Sequence, residues 1–266
     1  MATDALTDYL GAACAAARRG AAVLEAWRSR FSVREKGRAD LVTEADVASQ
    51  NAIRAYLHER LPSHGFLGEE DPAPHTKPAA GAPPTWIVDP LDGTTNYVHD
   101  CPMYCVSIGL WLGGEMVVGV VYDGPHDELF SAAKGCGAYL NGKRLQTSRA
   151  AALGEALLAT GFPPDLRGQE LSLSWWHYFS MRTRSLRRTG STAINMAWLA
   201  AGRFDAFYAF DNHVWDVAGG AVLVREAGGV CTAVDGGPYD PFSPSGLASN
   251  AALHPALMEA FRQGPK

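Results

Sequence analysis

Asp89-Pro90-Leu91-Asp92-Gly93-Thr94-Thr95-Asn96 joins two carboxylates to a turn rich in backbone donors and hydroxyls. The apolar run before it, Trp86-Ile87-Val88, reads as a buried strand. Such a strand delivers Asp89 rigidly, Pro90 is expected to stop the ladder, and Asp92 turns back toward the same point. Gly93, Thr94 and Thr95 then offer N–H groups and hydroxyls able to hold an anion. Hard oxygen ligands beside an anion cradle suit a divalent cation and a phosphate. Alone, the stretch is also readable as an Asx-rich turn without chemistry, the lesser of the two readings.

Further acids sit at element ends. Gly68-Glu69-Glu70 follows the apolar pair Phe66-Leu67, again at a strand end. Trp215-Asp216-Val217-Ala218 places an aspartate at the start of a helix expected over 216–227, closed by Gly228-Gly229. The macrodipole favours the ionised form there by about 0.3–1 kcal/mol, and plain N-capping accounts for the residue equally well. In Asp40-Leu41-Val42-Thr43-Glu44-Ala45-Asp46, Thr43 and Asp46 make a capping-box-like pattern at the head of a helix running to Arg60.

The elements that must position these acids fall into two halves. An Ala-rich helix is expected over about 4–29, with Leu6, Tyr9, Leu10, Val23, Leu24 and Trp27 on one face. Five prolines (72, 74, 78, 83 and 84) mark an irregular loop before the Asp89 strand. Strands over 105–111 and 116–122 meet at Gly113-Gly114. Those over 129–133 and 137–140 follow, and Asn141-Gly142 turns into 143–145, an antiparallel meander. Beyond about 150 the pattern alternates. Strands are expected at 156–160, 204–210, 230–232 and 247–249, with helices at 171–181, 193–201 and 216–227 and from Pro255. The fold class is an α+β to α/β layered sandwich. Residues 1–148 form a sub-domain with the antiparallel sheet and most of the acids, and 149–266 a second that supplies Asp216, the two sharing a cleft.

Composition sets the broad class. With 266 residues, 47% apolar and 19% charged, the chain can bury a large core. A net charge of −5 provides no basic field for nucleic acid. Arg182, Arg184, Arg187 and Arg188 form the one basic cluster and read as a solvated face or an interface. The five cysteines (14, 101, 105, 136 and 231) are odd in number and scattered, so they read as reduced, mostly buried thiols. Asp4 and Asp8 precede Arg18 and Arg19, the wrong polarity for a signal peptide, and no apolar run approaches the roughly 18 residues of a membrane span. A cytoplasmic protein is expected.

Together the segments resemble the inositol monophosphatase family. They are Asp40-to-Asp46 with Lys36 upstream, Gly68-Glu69-Glu70, Asp89-to-Asn96 and Trp215-Asp216-Val217-Ala218-Gly219-Gly220, with Gly161-Phe162-Pro163 and Arg188-Thr189-Gly190-Ser191 as further landmarks. Their order and spacing extend the resemblance over essentially the whole chain. It implies a sugar-phosphatase-like αβαβα architecture and two to three Mg²⁺ ions per active site. Glu69, Asp89 and the Leu91 carbonyl would ligate one ion, Asp89, Asp92 and Asp216 a second, and Glu69 with waters a weaker third. Thr94 and Asp46 would activate the attacking water, while Gly93 and Thr94 N–H groups would hold phosphate oxygens. Asp92, Thr95, Ser191, Thr192 and Asp211 would complete the substrate contacts. No phosphoenzyme is expected, because no activated nucleophile lies beside the cradle. Lithium sensitivity and a homodimer are also implied.

Substrate identity is less sharply drawn. Inositol-specific members carry a glutamate seven residues before the Trp-Asp aspartate, where this chain has Ala209, and often an alanine where it has Thr192. Losing a hydroxyl-binding partner removes discrimination. Inositol monophosphate therefore leads and histidinol phosphate follows, with Asp211 as counter-charge to its amine. Fructose 1,6-bisphosphate and nucleotide 3′-phosphates are further superfamily substrates, and a bisphosphate would look to Arg182–Arg188. A glycosidase could use Asp89 and Asp92 as acid and base, but needs neither Gly93-Thr94 nor the acids at 69 and 216. A non-catalytic role in binding the transcription machinery would not need so complete a set of acids.

Overall fold

The computed structural model describes residues 3–28, 30–37, 40–72, 75–163 and 165–265; for 3, 35–37, 40 and 41 it describes the backbone alone. The expected Lys36 and Asp40 side chains and Pro74 therefore lie outside the described residues. Helix α1 (Thr3–Trp27) is followed by a hairpin, β1 (Val33–Gly37) and β2 (Asp40–Thr43), and by α2 (Glu44–Arg60). Seven strands then build one sheet in sequential order: β3 (Gly65–Gly68), β4 (Thr85–Asp92), β5 (Cys105–Leu112), β6 (Glu115–Asp123), β7 (Glu128–Ala133), β8 (Gly137–Leu140) and β9 (Lys143–Arg144). Helix α3 (Thr94–Val98) lies between β4 and β5. Only the β3–β4 pair of this sheet is parallel.

A second sheet takes β10 (Leu157–Thr160), β11 (Ser185–Arg187), β12 (Ala206–Ala209), β13 (Gly229–Thr232) and β14 (Gly246–Asn250), in the order β11-β10-β12-β14-β13. Helices α4 (Glu170–Ser180), α5 (Thr192–Ala200), α6 (Val214–Glu226) and α7 (His254–Gln263) complete the chain. β11, β10 and β12 run parallel, each step crossing over through a helix, whereas β14 is antiparallel to both neighbours.

These elements stack as a five-layered αβαβα sandwich. α1 and α2 cover one face of the seven-stranded sheet around Leu24, Ile53, Leu57, Trp86 and Ile108. α5 and α6 fill the middle layer against both sheets. α4 and α7 close the outer face of the second sheet with Trp175, Phe179, Tyr208 and Phe261. The buried face of α1 includes the expected one, with Tyr9, Leu10 and Trp27 packed at its margin, and extends over a row of alanines. Leu6 and Leu24 are inside, Ala12, Ala13, Ala16, Ala17 and Ala21 form the rest of its buried contact, and Tyr9, Leu10, Val23 and Trp27 stay half-exposed. Small residues let α1 sit close to α2: a Cβ at Gly20 would lie 2.6 Å from Ile53.

Glycines seat α6 on the first sheet in the same way. A Cβ on Gly119 of β6 would stand 2.2 Å from the Gly219 carbonyl, and one on Gly109 of β5 2.7 Å from Ala218. Close approach of backbone to backbone thus fixes the height of α6, and with it Asp216. Turns matched expectation where φ is positive: Gly113 and Gly114 at 62° and 93°, Asn141 and Gly142 at 47° and 80°. The cysteines are free, but Cys105 alone is fully buried and the other four are partly exposed.

Candidate active site

Two acids three residues apart on a regular strand would point to opposite faces. β4 avoids this with a bulge. Asp89 pairs with Ser107 and Asp92 with Cys105, so three steps on β4 oppose two on β5. The extra residue restores the phase, and both carboxylates emerge on the side where α5 and α6 pack. Pro90 therefore does not end the strand as expected; it occupies the irregular step, where its missing N–H does no harm.

Each carboxylate is then aimed by donors. Asp89 is buried, and its Oδ1 accepts from Leu91 N at 3.0 Å. Asp92 lies across the start of α5. Its Oδ2 accepts from Ser191 Oγ at 2.6 Å and Ala193 N at 2.6 Å, and its Oδ1 from Thr192 N at 3.3 Å. Asp216 occupies the first turn of α6, whose start lies at Val214 and not at Asp216, and its Oδ2 accepts from His213 N at 2.7 Å. Both readings of Asp216 hold together, since it caps the helix while its charge sits among the other acids. Glu69 N donates to Val88 O at 3.0 Å, which ties the end of β3 to β4.

The electrostatics register four acids in one place. Burial first, then Glu69, Asp92 and Asp216, hold the Asp89 carboxyl well above the usual carboxylate range. Burial, followed by Asp92 and Glu69, does the same for Asp216. Asp92 is pushed up to about 6 by burial, against the donors from Ser191, Ala193 and Thr192 that favour its ionised form. A cluster that resists ionisation alone is stabilised by a bound cation. Among the described residues no three acids, histidines or cysteines already close into a ligand shell. What they offer is an all-oxygen, multiply negative set oriented by backbone amides, which suits a cation that keeps several waters and completes its shell with phosphate.

Opposite these acids stands the second expected pair. Asp46, 1% exposed, accepts at Oδ2 from Thr43 N (2.8 Å) and Thr43 Oγ1 (2.6 Å), the capping box read from the sequence with Asp in place of Glu. Its Oδ1 lies 3.2 Å from Thr94 Oγ1, which is also 3.2 Å from the Leu91 carbonyl. Gly93 makes this turn possible: its φ is 100°, and a Cβ would stand 2.8 Å from Met103 O.

The remaining expected residues divide. Thr95 is exposed at the head of α3, and Asp211 is exposed and close enough to raise Asp216 electrostatically. Thr192 faces the end of β10, its Oγ1 3.3 Å from where a Gly161 Cβ would be, with Ala209 3.7 Å from the same point. Ser191 does not stand on an open wall. It is 1% exposed, caps α5 by accepting from Ile194 N at 3.2 Å, and donates to Asp92. Its hydroxyl thereby helps to fix the Asp92 carboxylate. Arg182, Arg184, Arg187 and Arg188 are exposed, with Arg182 over Tyr178 and Arg188 over Phe162.

Several supporting residues were not singled out from the sequence. Asn96 Nδ2 ties Met103 O (2.6 Å) to Thr189 O (2.9 Å), and Ser49 Oγ holds Pro90 O at 3.1 Å. Ser107 Oγ donates to Trp215 O at 3.3 Å. His75, from the proline-rich loop, packs edge-on against Trp215, whose other ring neighbour is His213. Cys105 lies beside Asp92 and Ser191, and burial, then the charges of Asp92 and Asp89, push its thiol well up, so it stays protonated. Lone polar residues in strands and loops carry no periodic signal; only the fold shows that they converge.

Comparison with known proteins identifies the family. A model of the inositol monophosphatase family matches residues 5–266. Inositol monophosphatase 1 of Solanum lycopersicum is 43% identical over 261 residues, covering 97% of this chain and 96% of its own. The solved inositol monophosphatase of Anabaena (Nostoc) sp. has a TM-score of 0.88 at 35% identity, covering 98% of this chain and 97% of that one. The extragenic suppressor protein suhB from Bartonella henselae reaches a TM-score of 0.90 at 34% identity, covering 97% and 100%. With the family match running through Asp46, Thr94 and all four clustered acids, this chain belongs to the inositol monophosphatase family.

Proposed function

We propose that the protein hydrolyses a small phosphate monoester with Mg²⁺, inositol monophosphate being the leading substrate. The observation that carries this reading is the convergence of Glu69, Asp89, Asp92 and Asp216, close enough for their charges to act on Asp89 and Asp216, with the hydrogen-bonded Thr94–Asp46 pair on the adjoining turn. Glu69, Asp89 and the Leu91 carbonyl would hold one ion, Asp89, Asp92 and Asp216 a second, and Glu69 with waters a third. When bound, Mg²⁺ would lower the pKa of a water and neutralise charge on the phosphoryl oxygens and the leaving alkoxide.

The chain's own groups do the rest. Thr94 Oγ1 donates to Asp46, which leaves the hydroxyl oxygen oriented to accept from the attacking water. Gly93, Thr94 and Thr95 N–H groups receive phosphate oxygens where charge builds in the transition state. The neutral Cys105 thiol cannot serve as a nucleophile, which agrees with direct attack by water. Thr192 and Asp211 border the leaving group. A homodimer in the cytoplasm inhibited by lithium completes the reading; among the described residues no helix is long and apolar enough to cross a membrane.

Histidinol phosphate is retained as a second substrate because Ala209, 2% exposed beside Gly161 and Thr192, offers no acceptor for inositol hydroxyls. The experiment is phosphate release from inositol 1-phosphate, histidinol phosphate, fructose 1,6-bisphosphate and adenosine 3′,5′-bisphosphate, with Mg²⁺ or EDTA. Turnover that needs Mg²⁺ and disappears in Asp92→Asn is expected. Turnover unaffected by EDTA would overturn the metal reading, and none on the panel would overturn the substrate class.

A further inference from the structure

A cavity of about 470 Å³ lies between the C-terminal half of α2 and the outer edge of the first sheet, away from the acid cluster. Leu57, Leu61, Phe66 and Trp86 supply apolar walls, and Asn51, Arg54, His58 and His64 the polar ones. The volume falls in the range of roughly 300–1,000 Å³ typical of small-molecule sites. Three buried nitrogens on these residues have no hydrogen-bond partner among the described residues: Trp86 Nε1, Arg54 Nε and His64 Nδ1. Trp86 is 1% exposed, so water does not reach its ring freely. Burying a donor without an acceptor is unfavourable, and natural proteins keep few such groups without cause.

The chemistry of an occupant follows from what surrounds it. Trp86 Nε1 and Arg54 Nε can only donate. No acidic side chain lines the cavity, whereas Arg54 and His58 do. The rings are fixed: His64 stacks on Trp86 with centroids 5.8 Å apart and meets Tyr9 edge-on at 4.9 Å. The Arg54 guanidinium is held over Phe66 at 4.3 Å. We propose that this cavity is a second small-molecule site, taking an amphipathic monoanion with a flat apolar body and a carboxylate head. The body lies against Phe66, Leu61 and Trp86, and the head accepts from Trp86 and Arg54.

The position gives occupancy a route to the acids. Arg54 also pairs with Asp71, which accepts from Gly68 N at 2.9 Å, and Gln50 Oε1 accepts from Glu70 N at 3.0 Å. A carboxylate engaging Arg54 competes with Asp71 for the cation that braces the turn carrying Glu69.

The test uses the full chain labelled with ¹⁵N at its seven tryptophan indoles. The Trp86 signal is assigned by Trp86→Phe, or by triple-resonance spectra if that variant does not fold. Titration with 4-phenylbutyrate is expected to shift the Trp86 indole N–H downfield and saturably, at millimolar concentration. The charge-reversed 4-phenylbutylamine should leave it in place. Ala55→Phe, at an exposed position of α2 on the cavity wall, should fill the space and abolish the shift. A Trp86 signal unmoved by tens of millimolar 4-phenylbutyrate would overturn the proposal. So would an equal shift with the amine, or an undiminished one in folded Ala55→Phe.

Discussion

Thr94 Oγ1 lies 3.2 Å from Asp46 Oδ1, joining the turn after β4 to the first turn of α2. The other oxygen of Asp46 is committed to the Thr43 N–H and hydroxyl. One carboxylate thus caps a helix and fixes a hydroxyl beside the acid cluster, so its orientation is held by secondary structure.

Thr94→Ala removes the hydroxyl and leaves the Asp46 cap intact. A positioned proton acceptor contributes about 10²–10⁴-fold to rate, so kcat is expected to fall by at least about 10²-fold. Tm should move little, because Thr94 sits at the head of a short, half-exposed helix. Steady-state kinetics and a melting curve on the same preparation check this. A loss confined to KM would show that Thr94 binds substrate without orienting the nucleophile.

Asp216→Asn separates the cost of the clustered charge from its use. Burial, Asp92 and Glu69 raise the folded-state pKa of Asp216. A carboxyl with a raised folded pKa stabilises the fold least once it is ionised, so its contribution is lost as pH rises from the unfolded value toward the folded one. Without divalent metal, the variant should melt higher than the parent at pH 8, by roughly 2 °C or more. The difference should shrink as pH falls toward the unfolded-state value, because the parent's carboxyl takes up its proton on the way down. Adding Mg²⁺ should reverse the order, because the parent gains more from the bound ion. Melting curves with EDTA and with Mg²⁺ at both pH values decide it.

Gly119→Ala tests how the fold holds Asp216 in place. Its Cβ would stand 2.2 Å from the Gly219 carbonyl, a rigid part of α6. Overpacking of this kind costs about 1–3 kcal/mol or more, and any relief must lift α6 from the sheet. Lower stability together with a weaker Mg²⁺ requirement curve is expected, measured by chemical denaturation and by metal titration of activity. Lost stability with an unchanged Mg²⁺ midpoint would mean that α6 keeps its height by local repacking.

Much of this arrangement was legible in sequence because chemistry and local geometry coincide. Thr43 and Asp46 signal a helix start by type and spacing, and Gly113-Gly114 and Asn141-Gly142 signal turns by their freedom at positive φ. The order of strands in the first sheet follows from those short turns. Other features depend on partners far along the chain. The bulge at Pro90 is set by pairing with β5, and the alanines on the buried face of α1 owe their place to how closely α2 approaches. Ser191 entered through its place in the Arg188-Thr189-Gly190-Ser191 landmark; its hydrogen bond to Asp92, a partner 99 residues away, is a contact that only the fold displays. The β1–β2 hairpin and β11 were missed because strands of three to five residues are too short to display a clear alternation.

Ala209→Glu asks what this chain's departure does to substrate choice. The position ends β12, beside Gly161 and Thr192, at the C-terminal edge of the parallel strands, where α/β sheets bind ligands. The alanine is 2% exposed, so a glutamate there must reach toward the cleft or stay buried and unpaired. Reaching outward, it supplies an acceptor that inositol hydroxyls can use. Hydrogen-bonding sites discriminate far more strongly than apolar ones, so the kcat/KM ratio of inositol 1-phosphate over histidinol phosphate should rise by about tenfold or more. Stability should fall because the carboxylate loses part of its hydration. An unchanged ratio in a folded variant would place the leaving group elsewhere and would move attention to Thr192 and Asp211. A ratio that falls would mean that the added acid pairs with the amine of histidinol phosphate, making the present alanine the feature that keeps that substrate from dominating.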